Sequence, residues 1–411
     1  MEKAFSQREY EALLGELFVR FPSVQKDGFT PGAYKPGLQG MMAFDASLSH
    51  PWRNYRIVHV AGTNGKGSVC SMIAAGLCAA GYRVGLYTSP HLIDFRERMN
   101  IPGEGLIPKE DVWEFLNGFD LDGLSFFEIT TGMAFWWFAK RRVDYAVIEV
   151  GLGGLLDSTN IVTPELSVIT SIGLDHCDIL GHSRVRIAEQ KAGIFKEGVP
   201  AIVGFRDGET CGVFEKKASE LHSPLYFVER DSDSDIELDL HSPCRKRNLA
   251  IAEKSLELLG VTPDLQAIAS TARITGLRGR WEKLMDSPEV IADIGHNPAA
   301  LAINFAALEA MGRPLVIVYG VMADKDLDSI APLMPAGARY VLCAPATPRA
   351  LPADMLHLRL SRLRPDLDTV NGGSVKDAVN MALDMAGRTD GSVVYVGGST
   401  FVVSEAIPAL L

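Results

Sequence analysis

The sequence predicts an α/β protein with two domains, each built on a mostly parallel sheet flanked by helices. Two series of segments support this, because apolar runs that alternate with helical patterns are typical of βαβ units. The strands of the first series are predicted at 56–61, 83–88, 143–150, 166–171 and 200–204, and its helices at 66–80, 109–117, 128–141, 184–195 and 246–259. The second series begins near residue 289 with VIADI, PLVIVYG, RYVLCAP and SVVYVGG, and its helices are predicted at 298–311, 327–334, 352–363 and 374–386.

We place a larger first domain at residues 1–285 and a smaller, Rossmann-like α/β domain at 286–411, with the seam inside segment 275–289. Residues 1–20 are predicted to form a charged amphipathic helix rather than a secretion signal. Residues 21–55 are rich in glycine and proline and are predicted to be a long irregular loop, for which a substrate lid is one possible role. The stretch 205–244 is more polar, and its run ERDSDSDIELD at 229–239 is predicted to be a solvated hairpin or loop rather than a metal site.

Composition limits the possible partners and compartments. With 40 Lys and Arg against 51 Asp and Glu the formal net charge is −11, which argues against nucleic acid or an anionic membrane as the main partner. The 6 cysteines are scattered and form no C-x-x-C pair, which is typical of thiols in a reducing cytoplasm. The most apolar stretch, Met133–Ala139, is short and flanked by charge, so we expect a buried helix and no membrane span.

A glycine-rich segment, VHVAGTNGKGS at 58–68, follows the first predicted strand and leads into a predicted helix. Such a loop presents backbone N–H groups and the positive end of a helix to phosphates, and Lys66 adds a point charge. The spacing differs from the usual G-x-x-x-x-G-K-[ST], because Val60 stands at the first glycine and Gly67 is inserted before Ser68. The segment therefore predicts a nucleoside triphosphate site.

Candidate ligands of a divalent cation follow neighbouring strands. Glu149 ends the strand at 143–150 and precedes GLGG, and carboxyl ends of parallel strands face the ligand crevice. Because Mg²⁺ prefers oxygen ligands, we expect Glu149 to bind it. Asp175 and His176 follow the strand at 166–171 and should reach the same rim. Lys191 lies on a predicted helix where a lysine is normally solvated.

In the second domain, Asp293 and His296 lie where a strand passes into a helix that has Pro298 early in it. Alone, they would be typical of a helix cap and a surface histidine. Together with the first rim, they suggest a second phosphate-facing rim and a reaction in a cleft between the domains.

An ordered set of motifs resembles that of the folylpolyglutamate synthase/dihydrofolate synthase family, within the wider Mur ligase superfamily. The motifs are GTNGKGS (62–68), TSPHL (88–92), EVGLGG (149–154), LDSTN (156–160), LDH (174–176), EQKAGIFK (189–196), GRW (279–281) and DIGHNP (293–298). The resemblance covers nearly the whole chain after residue 55. It implies a Mur ligase-like central domain with a P-loop-type sheet. It also implies an ATP-dependent ligase that adds L-glutamate to dihydropteroate, to the glutamate tail of tetrahydrofolate, or to both, through an acyl phosphate.

The resemblance also implies roles for matching residues. The implied ATP contacts are Gly62, Thr63, Asn64, Gly65, Lys66, Gly67, Ser68, Asn248, Arg280 and Asp293. The implied ligands of magnesium, two ions in all, are Ser89, Glu149, His176 and Lys191, the lysine as a carbamate formed with carbon dioxide. The implied catalytic residues are Lys66, Lys191 and His296. The implied pterin contacts are Phe126, Phe127, Glu128, Leu156, Asp157 and Ser158. The family often has arginine where Leu155 stands, so one polar substrate contact is expected to be missing. We expect small-molecule substrates and a monomer.

Two alternatives remain open at this point. A Mur-type cell-wall amino-acid ligase would act on a UDP-sugar peptide, but its loop usually lacks Gly67. It also normally has a preceding UDP-binding domain, for which a loop beginning at residue 62 would leave no room. A non-catalytic ATP-binding module or decayed enzyme is the other alternative. The joint presence of five residues argues against it: Lys66, Glu149, His176, Lys191 and Asp293.

Overall fold

The computed structural model describes residues 5–30, 32, 33 and 35–410, which form two compact units. The first unit is Met1–Asp239 with Lys246–Leu277, and the second is Leu240–Arg245 with Arg278–Leu411. Residues 1–4, 31, 34 and 411 lie outside the described part, including the start of the predicted helix 1–20 and two positions of the predicted loop 21–55. The boundary between Leu277 and Arg278 falls inside the predicted seam at 275–289. The functional domain limits 1–285 and 286–411 stay a prediction.

The first unit is built on one sheet whose central strand carries the glycine loop. Its strands are β1 (Arg56–Ala61), β2 (Val84–Tyr87), β3 (Met99–Ile101), β4 (Gly105–Leu106), β5 (Tyr145–Glu149), β6 (Leu166–Ile169), β7 (Ala201–Val203) and β8 (Leu225–Phe227). They are arranged in the order β4-β3-β2-β5-β1-β6-β7-β8, and β3 and β4 form an antiparallel edge on an otherwise parallel sheet. Val60 pairs with Glu149, and Ala61 pairs with Ile169. The carboxyl ends of β5, β1 and β6 therefore meet at one edge.

Helices pack on both faces of this sheet. They are α1 (Gln7–Arg20), α2 (Val24–Asp27), α3 (Gln39–Ser47), α4 (Lys66–Ala79), α5 (Lys109–Gly118), α6 (Phe126–Lys140), α7 (Cys177–Leu180), α8 (Arg184–Ala192), α9 (Cys211–Glu220), α10 (Arg245–Leu258), α11 (Leu265–Ala269) and α12 (Thr271–Thr275), with 3₁₀ turns at Pro51–Asn54, Phe95–Arg98 and Ser158–Ile161. Both α4 and α6 are apolar around most of their circumference and are buried, as expected for helices with no solvent face. The buried helix predicted around Met133–Ala139 is confirmed. Within the described residues, no helix combines the length and apolar character needed to cross a membrane.

The second unit repeats the same architecture on a smaller scale. Its strands are β9 (Glu282–Asp286), β10 (Glu289–Ala292), β11 (Leu315–Tyr319), β12 (Arg339–Ala344), β13 (Asp368–Ser374) and β14 (Val393–Gly397). Its helices are α13 (Pro298–Ala310), α14 (Leu327–Ile330), α15 (Ala353–Leu363), α16 (Val375–Gly387) and α17 (Thr400–Leu410), with a 3₁₀ turn at Ala331–Leu333. The strand order is β13-β12-β11-β14-β10-β9. Among the described strands of this second sheet, only β9 is antiparallel to its neighbour. The predicted α/β class with two mostly parallel sheets is confirmed.

One segment prediction was wrong in part. Residues 21–55 are not one irregular loop, because they contain α2, α3 and a 3₁₀ turn. These elements are short, and their glycine, proline and charged residues are equally typical of turns. The run at 229–239 contains no helix or strand, so the loop predicted there is confirmed. The predicted N-terminal helix begins at Gln7, where the side chain of Ser6 accepts a hydrogen bond from the Glu9 backbone.

Candidate active site

The loop between β1 and α4 has a shape that only glycine allows at two positions. Gly62 has φ +155°, and a Cβ there would lie 1.9 Å from Thr170 Oγ1. Gly65 has φ +84°, and a Cβ there would lie 2.8 Å from Oδ1 of the buried Asn248. Gly65 is also the N-cap of α4 and has no side chain to cap the first turn. The helix N-terminus is thus formed without a side-chain cap, as is typical of phosphate sites.

Hydrogen bonds to the segment after β6 hold this loop in place. The backbone N–H of Thr63 donates to Ser171 O at 2.8 Å, and that of Asn64 donates to Ser171 Oγ at 2.9 Å. Thr170 Oγ1 donates to Asn64 O at 2.7 Å. Thr63 Oγ1 also accepts from the backbone of Gly173 at 3.0 Å. The loop is therefore ordered by the protein itself, which lowers the entropy cost of binding an anion.

Two lysines converge on the same carbonyl oxygen of the loop. Lys66 Nζ donates to Gly62 O at 3.2 Å and to Thr63 O at 3.3 Å, and Lys191 Nζ donates to Gly62 O at 2.8 Å. Lys191 is only 3% exposed, so the expectation that it is solvated was wrong. Burial first, and then repulsion by Lys66, lowers the pKa of Lys191 to about 7. Near neutral pH a large fraction of this amine is therefore uncharged.

A pocket of the first unit brings several predicted residues together. It is lined by Gly62, Thr63, Lys66, Val150, Gly151, Leu152, Gly153, Asp175, His176, Leu180 and Lys191. The loop after β1, the glycines after β5 and the segment after β6 thus share one concave surface, as expected at the carboxyl edge of a parallel sheet. Both predicted catalytic lysines of this unit and the predicted ligand His176 belong to it.

The other two predicted metal ligands are also neighbours. The Glu149 carboxylate is buried at the end of β5, and its Oε2 accepts a hydrogen bond from the Ser89 backbone at 2.8 Å. His176 has φ +51° and its imidazole makes an edge-to-face contact with Phe29, with ring centroids 5.4 Å apart. A carboxylate, a hydroxyl and an imidazole are suitable ligands for Mg²⁺ or Mn²⁺, so the residues present fit such an ion.

The predicted pterin residues differ in what their side chains do. Glu128 Oε2 accepts from the Ser125 backbone at 2.7 Å in the capping box of α6. Asp157 accepts from the backbones of Leu152, at 2.8 Å, and Thr159, at 3.0 Å. Both carboxylates are therefore used to hold the backbone in shape.

The other members of the same set differ in how far they are buried. Phe127 covers Gly151, where a Cβ would lie 2.5 Å from its ring. Phe126 is buried, Ser158 begins a 3₁₀ turn, and Leu156 is 39% exposed. Leu155, at the position where the family often has arginine, is 42% exposed. The pterin role of these residues stays a prediction.

Sequence reasoning missed a buried arginine beside this site. Arg98 Nη2 donates to Gln25 Oε1 at 2.8 Å, its Nε donates to His91 Nδ1 at 2.9 Å, and its guanidinium lies 5.2 Å from the Phe126 ring centre. Burial lowers the pKa of Arg98, while charges such as that of Glu149 act in the opposite direction. In the sequence, Arg98 is distinguished only by its position shortly after the TSPHL motif, in the segment FRER. This segment has no hydrophobic periodicity that would predict a buried arginine.

The remaining predicted residues, Arg280, Asp293 and His296, lie in the second unit. Asp293 accepts from the Trp281 backbone at 2.9 Å and from the Gly295 backbone at 2.8 Å. Burial raises the pKa of Asp293, while the Gly295 N–H and the Arg280 charge act to lower it. His296 Nδ1 lies 3.0 Å from Ile294 O, so Nδ1 carries the proton in this contact.

Comparison with known proteins decides the family. The model of the Mur ligase middle domain matches residues 125–259, and that of the "Mur ligase, glutamate ligase domain" matches residues 279–400. The chain is 33% identical over 383 residues to the folylpolyglutamate synthase of Lacticaseibacillus casei, covering 83% of this chain and 89% of that protein. The chain belongs to the folylpolyglutamate synthase/dihydrofolate synthase family. The resemblance drawn from the motifs is therefore confirmed, and so is the ligase class.

Two solved structures of this family extend the comparison. The structure of E. coli FolC in complex with DHPP and ADP has a TM-score of 0.82 and 29% identity, over 98% of this chain and 97% of that chain. A bifunctional folylpolyglutamate synthase/dihydrofolate synthase from Yersinia pestis, complexed with AMPPNP and a Mn ion, has a TM-score of 0.83 and 28% identity, over 100% of both chains. Both folate enzymes match along the whole two-domain fold, which favours the folate interpretation over the cell-wall alternative.

Proposed function

We propose that this protein is an ATP-dependent amide ligase that adds L-glutamate to dihydropteroate, to the glutamate tail of tetrahydrofolate, or to both. The observation that carries the proposal is the pocket in which the glycine loop, Lys66 and Lys191 meet, in a chain of this family. The ligands named for the E. coli and Yersinia pestis structures support ATP as the nucleotide and a divalent cation beside it.

The chemistry begins with activation of a carboxylate. A carboxylate oxygen of the folate attacks the γ-phosphorus of ATP, the bond to the β-phosphate oxygen breaks, and ADP leaves. The amine of glutamate then attacks the acyl phosphate carbon and loses a proton, and phosphate departs as the amide forms. Lys66 and the N–H groups at the start of α4 stabilise the negative charge of the phosphates, which is the main demand of phosphoryl transfer.

A divalent cation would supply further neutralisation of the phosphate charge, and Ser89, Glu149 and His176 would hold it. The Ser89 backbone donates to Glu149 Oε2 at 2.8 Å, which helps to orient this carboxylate. Asn248, Arg280 and Asp293 are proposed to contact the nucleotide, and His296 to act in catalysis. We also propose that Phe126, Phe127, Glu128, Leu156, Asp157 and Ser158 line or support the pterin pocket.

Lys191 is proposed to become a carbamate. Its uncharged amine would attack the carbon of carbon dioxide and lose a proton, which gives a carboxylate-like group in place of a cation. Its burial, its proximity to Lys66 and its lowered pKa support this proposal, because carbamate formation needs a neutral amine. The product would offer an oxygen ligand to a second cation and would relieve repulsion between the two lysines.

The test is an acceptor panel with purified protein. Phosphate release should require ATP together with L-glutamate and either dihydropteroate or tetrahydrofolate, and mass spectrometry should detect a product that is heavier by one glutamate. Phosphate release only with a UDP-muramoyl acceptor would establish a cell-wall ligase instead. ATP binding without turnover on any acceptor would favour a non-catalytic module. Light scattering should give the mass of one chain, because we propose a monomer.

A further inference from the structure

A buried asparagine in the second unit occupies a position where the surrounding pattern calls for an apolar side chain. Asn304 lies on α13 and is 5% exposed, in the same stripe as the buried residues Leu301, Phe305 and Leu308. These positions follow the i, i+3, i+4, i+7 spacing of one helix face. A buried amide is unfavourable unless its polar atoms are hydrogen-bonded, so its bonds indicate why it is there.

The amide of Asn304 connects two polar groups in this core. Its Nδ2 donates to Asp293 Oδ1 at 2.6 Å and to the hydroxyl oxygen of Tyr395 at 3.1 Å. Tyr395 is itself fully buried on β14. The short distance to Asp293 marks a charge-assisted bond, whereas the tyrosine bond is longer.

Asp293 in turn connects three parts of the second unit. Its Oδ2 accepts from the backbone of Trp281, a residue that has φ +53°. Its Oδ1 accepts from the backbone of Gly295, where a Cβ would lie 2.8 Å from Oδ1 and 3.0 Å from Asn304 Nδ2. The Asp293 carboxylate, the Asn304 amide and Gly295 are therefore packed so closely that a side chain at Gly295 would displace the other two groups. Rotation of the carboxylate would break the bond that holds Trp281 in its left-handed conformation, and Arg280 directly precedes Trp281.

We infer that Asn304 is a positioning residue for nucleotide binding: it fixes the Asp293 carboxylate, and through it the backbone that presents Arg280. The inference rests on the proposed function, in which Arg280 and Asp293 contact ATP. Asn304 itself touches no substrate in this scheme. Replacing it by an apolar side chain should therefore loosen the nucleotide contact. It should also lower stability, because the buried Asp293 carboxylate and the buried Tyr395 hydroxyl would each lose a hydrogen-bond partner.

The test compares Asn304→Leu with two tyrosine variants. Tyr395→Phe removes the outer hydrogen bond of Asn304 and keeps the bond to Asp293. Tyr319→Phe removes another buried hydroxyl of this unit, one that has no hydrogen-bond partner among the described residues. Isothermal titration with ADP and steady-state kinetics with ATP are then run on all three variants and on the unaltered protein.

We expect Asn304→Leu to raise the Kd for ADP and the KM for ATP at least fivefold. The melting temperature should fall but stay above the temperature of the titration, and the KM for the folate acceptor should be unchanged. Tyr395→Phe should change the Kd for ADP less than twofold, and Tyr319→Phe should not change it. A Kd for ADP within twofold of the unaltered protein in Asn304→Leu would overturn the inference. A drop in melting temperature with unchanged nucleotide binding would show a merely structural role and overturn it as well.

Two further measurements keep the outcome decisive. If Asn304→Leu does not fold, Gly295→Ala displaces the same carboxylate, and unaltered ADP binding in that variant would refute the inference. Lys66→Ala separates this inference from the proposed function. If the unaltered protein does not bind ADP, the proposed function fails. If ADP binding is weakened by Lys66→Ala but not by Asn304→Leu, only the role of Asn304 fails.

Discussion

Lys191→Met should make the protein more stable, and the gain should disappear as the pH rises. The ammonium group of Lys191 is buried beside Lys66, which lowers its pKa from 10.5 to about 7 in the folded protein. Between these values the unfolded chain binds a proton that the folded protein does not bind. Stability of the unaltered protein therefore increases with pH across this window, and below pH 7 the full penalty of burying the charge applies.

The size of the effect follows from the same two values. They differ by about 3.5, and at about 1.36 kcal/mol per pKa unit the penalty is about 5 kcal/mol below pH 7. It falls to about 3 kcal/mol at pH 8 and nearly vanishes at pH 10.5. Methionine has a similar length and no charge, so Lys191→Met escapes this penalty at every pH.

The assay is urea denaturation of both proteins from pH 6 to pH 10, at constant ionic strength and in buffer free of carbon dioxide. Lys216→Met, at an exposed lysine, serves as the control and should show no pH-dependent difference. Addition of bicarbonate should stabilise only the unaltered protein, because a carbamate removes the buried cation. A stability difference between Lys191→Met and the unaltered protein that stays constant from pH 6 to pH 10 would refute the reasoning.

Three further predictions concern the same pocket. Lys66→Ala should lower kcat/KM by at least about 10², since a charge that stabilises the transferring phosphoryl group is lost, and near-normal kinetics would exclude that role. Lys191→Ala should be nearly inactive and partly rescued by a small added carboxylate; normal activity without rescue would contradict the carbamate. Gly62→Ala should abolish ADP binding in a calorimetric titration, because its Cβ would lie 1.9 Å from Thr170 Oγ1. Gly81→Ala, also at positive φ but with no atom within 4 Å of its Cβ, should lose stability and still bind ADP.

The parts of the fold that sequence predicted well are those specified by local pattern. An apolar run, a glycine-rich loop and a long apolar helix specify β1, the loop and α4, all within residues 56–79. The ends of β5 and β6 were equally predictable, because parallel strands buried on both faces give continuous apolar runs. Short elements such as α2 and β8 have too few residues for any period to appear, and their polar composition is the same as that of a turn.

The parts of the site that sequence could not predict depend on contacts between distant residues. Lys191 and Gly62 are 129 residues apart, and nothing in the helix around Lys191 indicates that its amine is buried against that carbonyl. The resemblance to a family supplied a role for Lys191, but its environment is visible only in the fold. Asn304 illustrates the reverse case: its place in an apolar stripe was readable, but its bond to Asp293 required the structure.

The Gly62 carbonyl accepts hydrogen bonds from two lysines, and this affects how the loop could bind a phosphate. Gly62 O accepts from both Lys66 and Lys191, at 3.2 and 2.8 Å. Lys66 can therefore turn toward an incoming phosphate while Lys191 still satisfies this carbonyl, so no buried acceptor is left without a donor. If Lys191 becomes a carbamate, its nitrogen keeps only one N–H, and the negative charge of the carbamate attracts Lys66. The protonation and carbamate state of Lys191 would then set how readily Lys66 moves, which ties the chemistry of one lysine to the phosphate contact of the other.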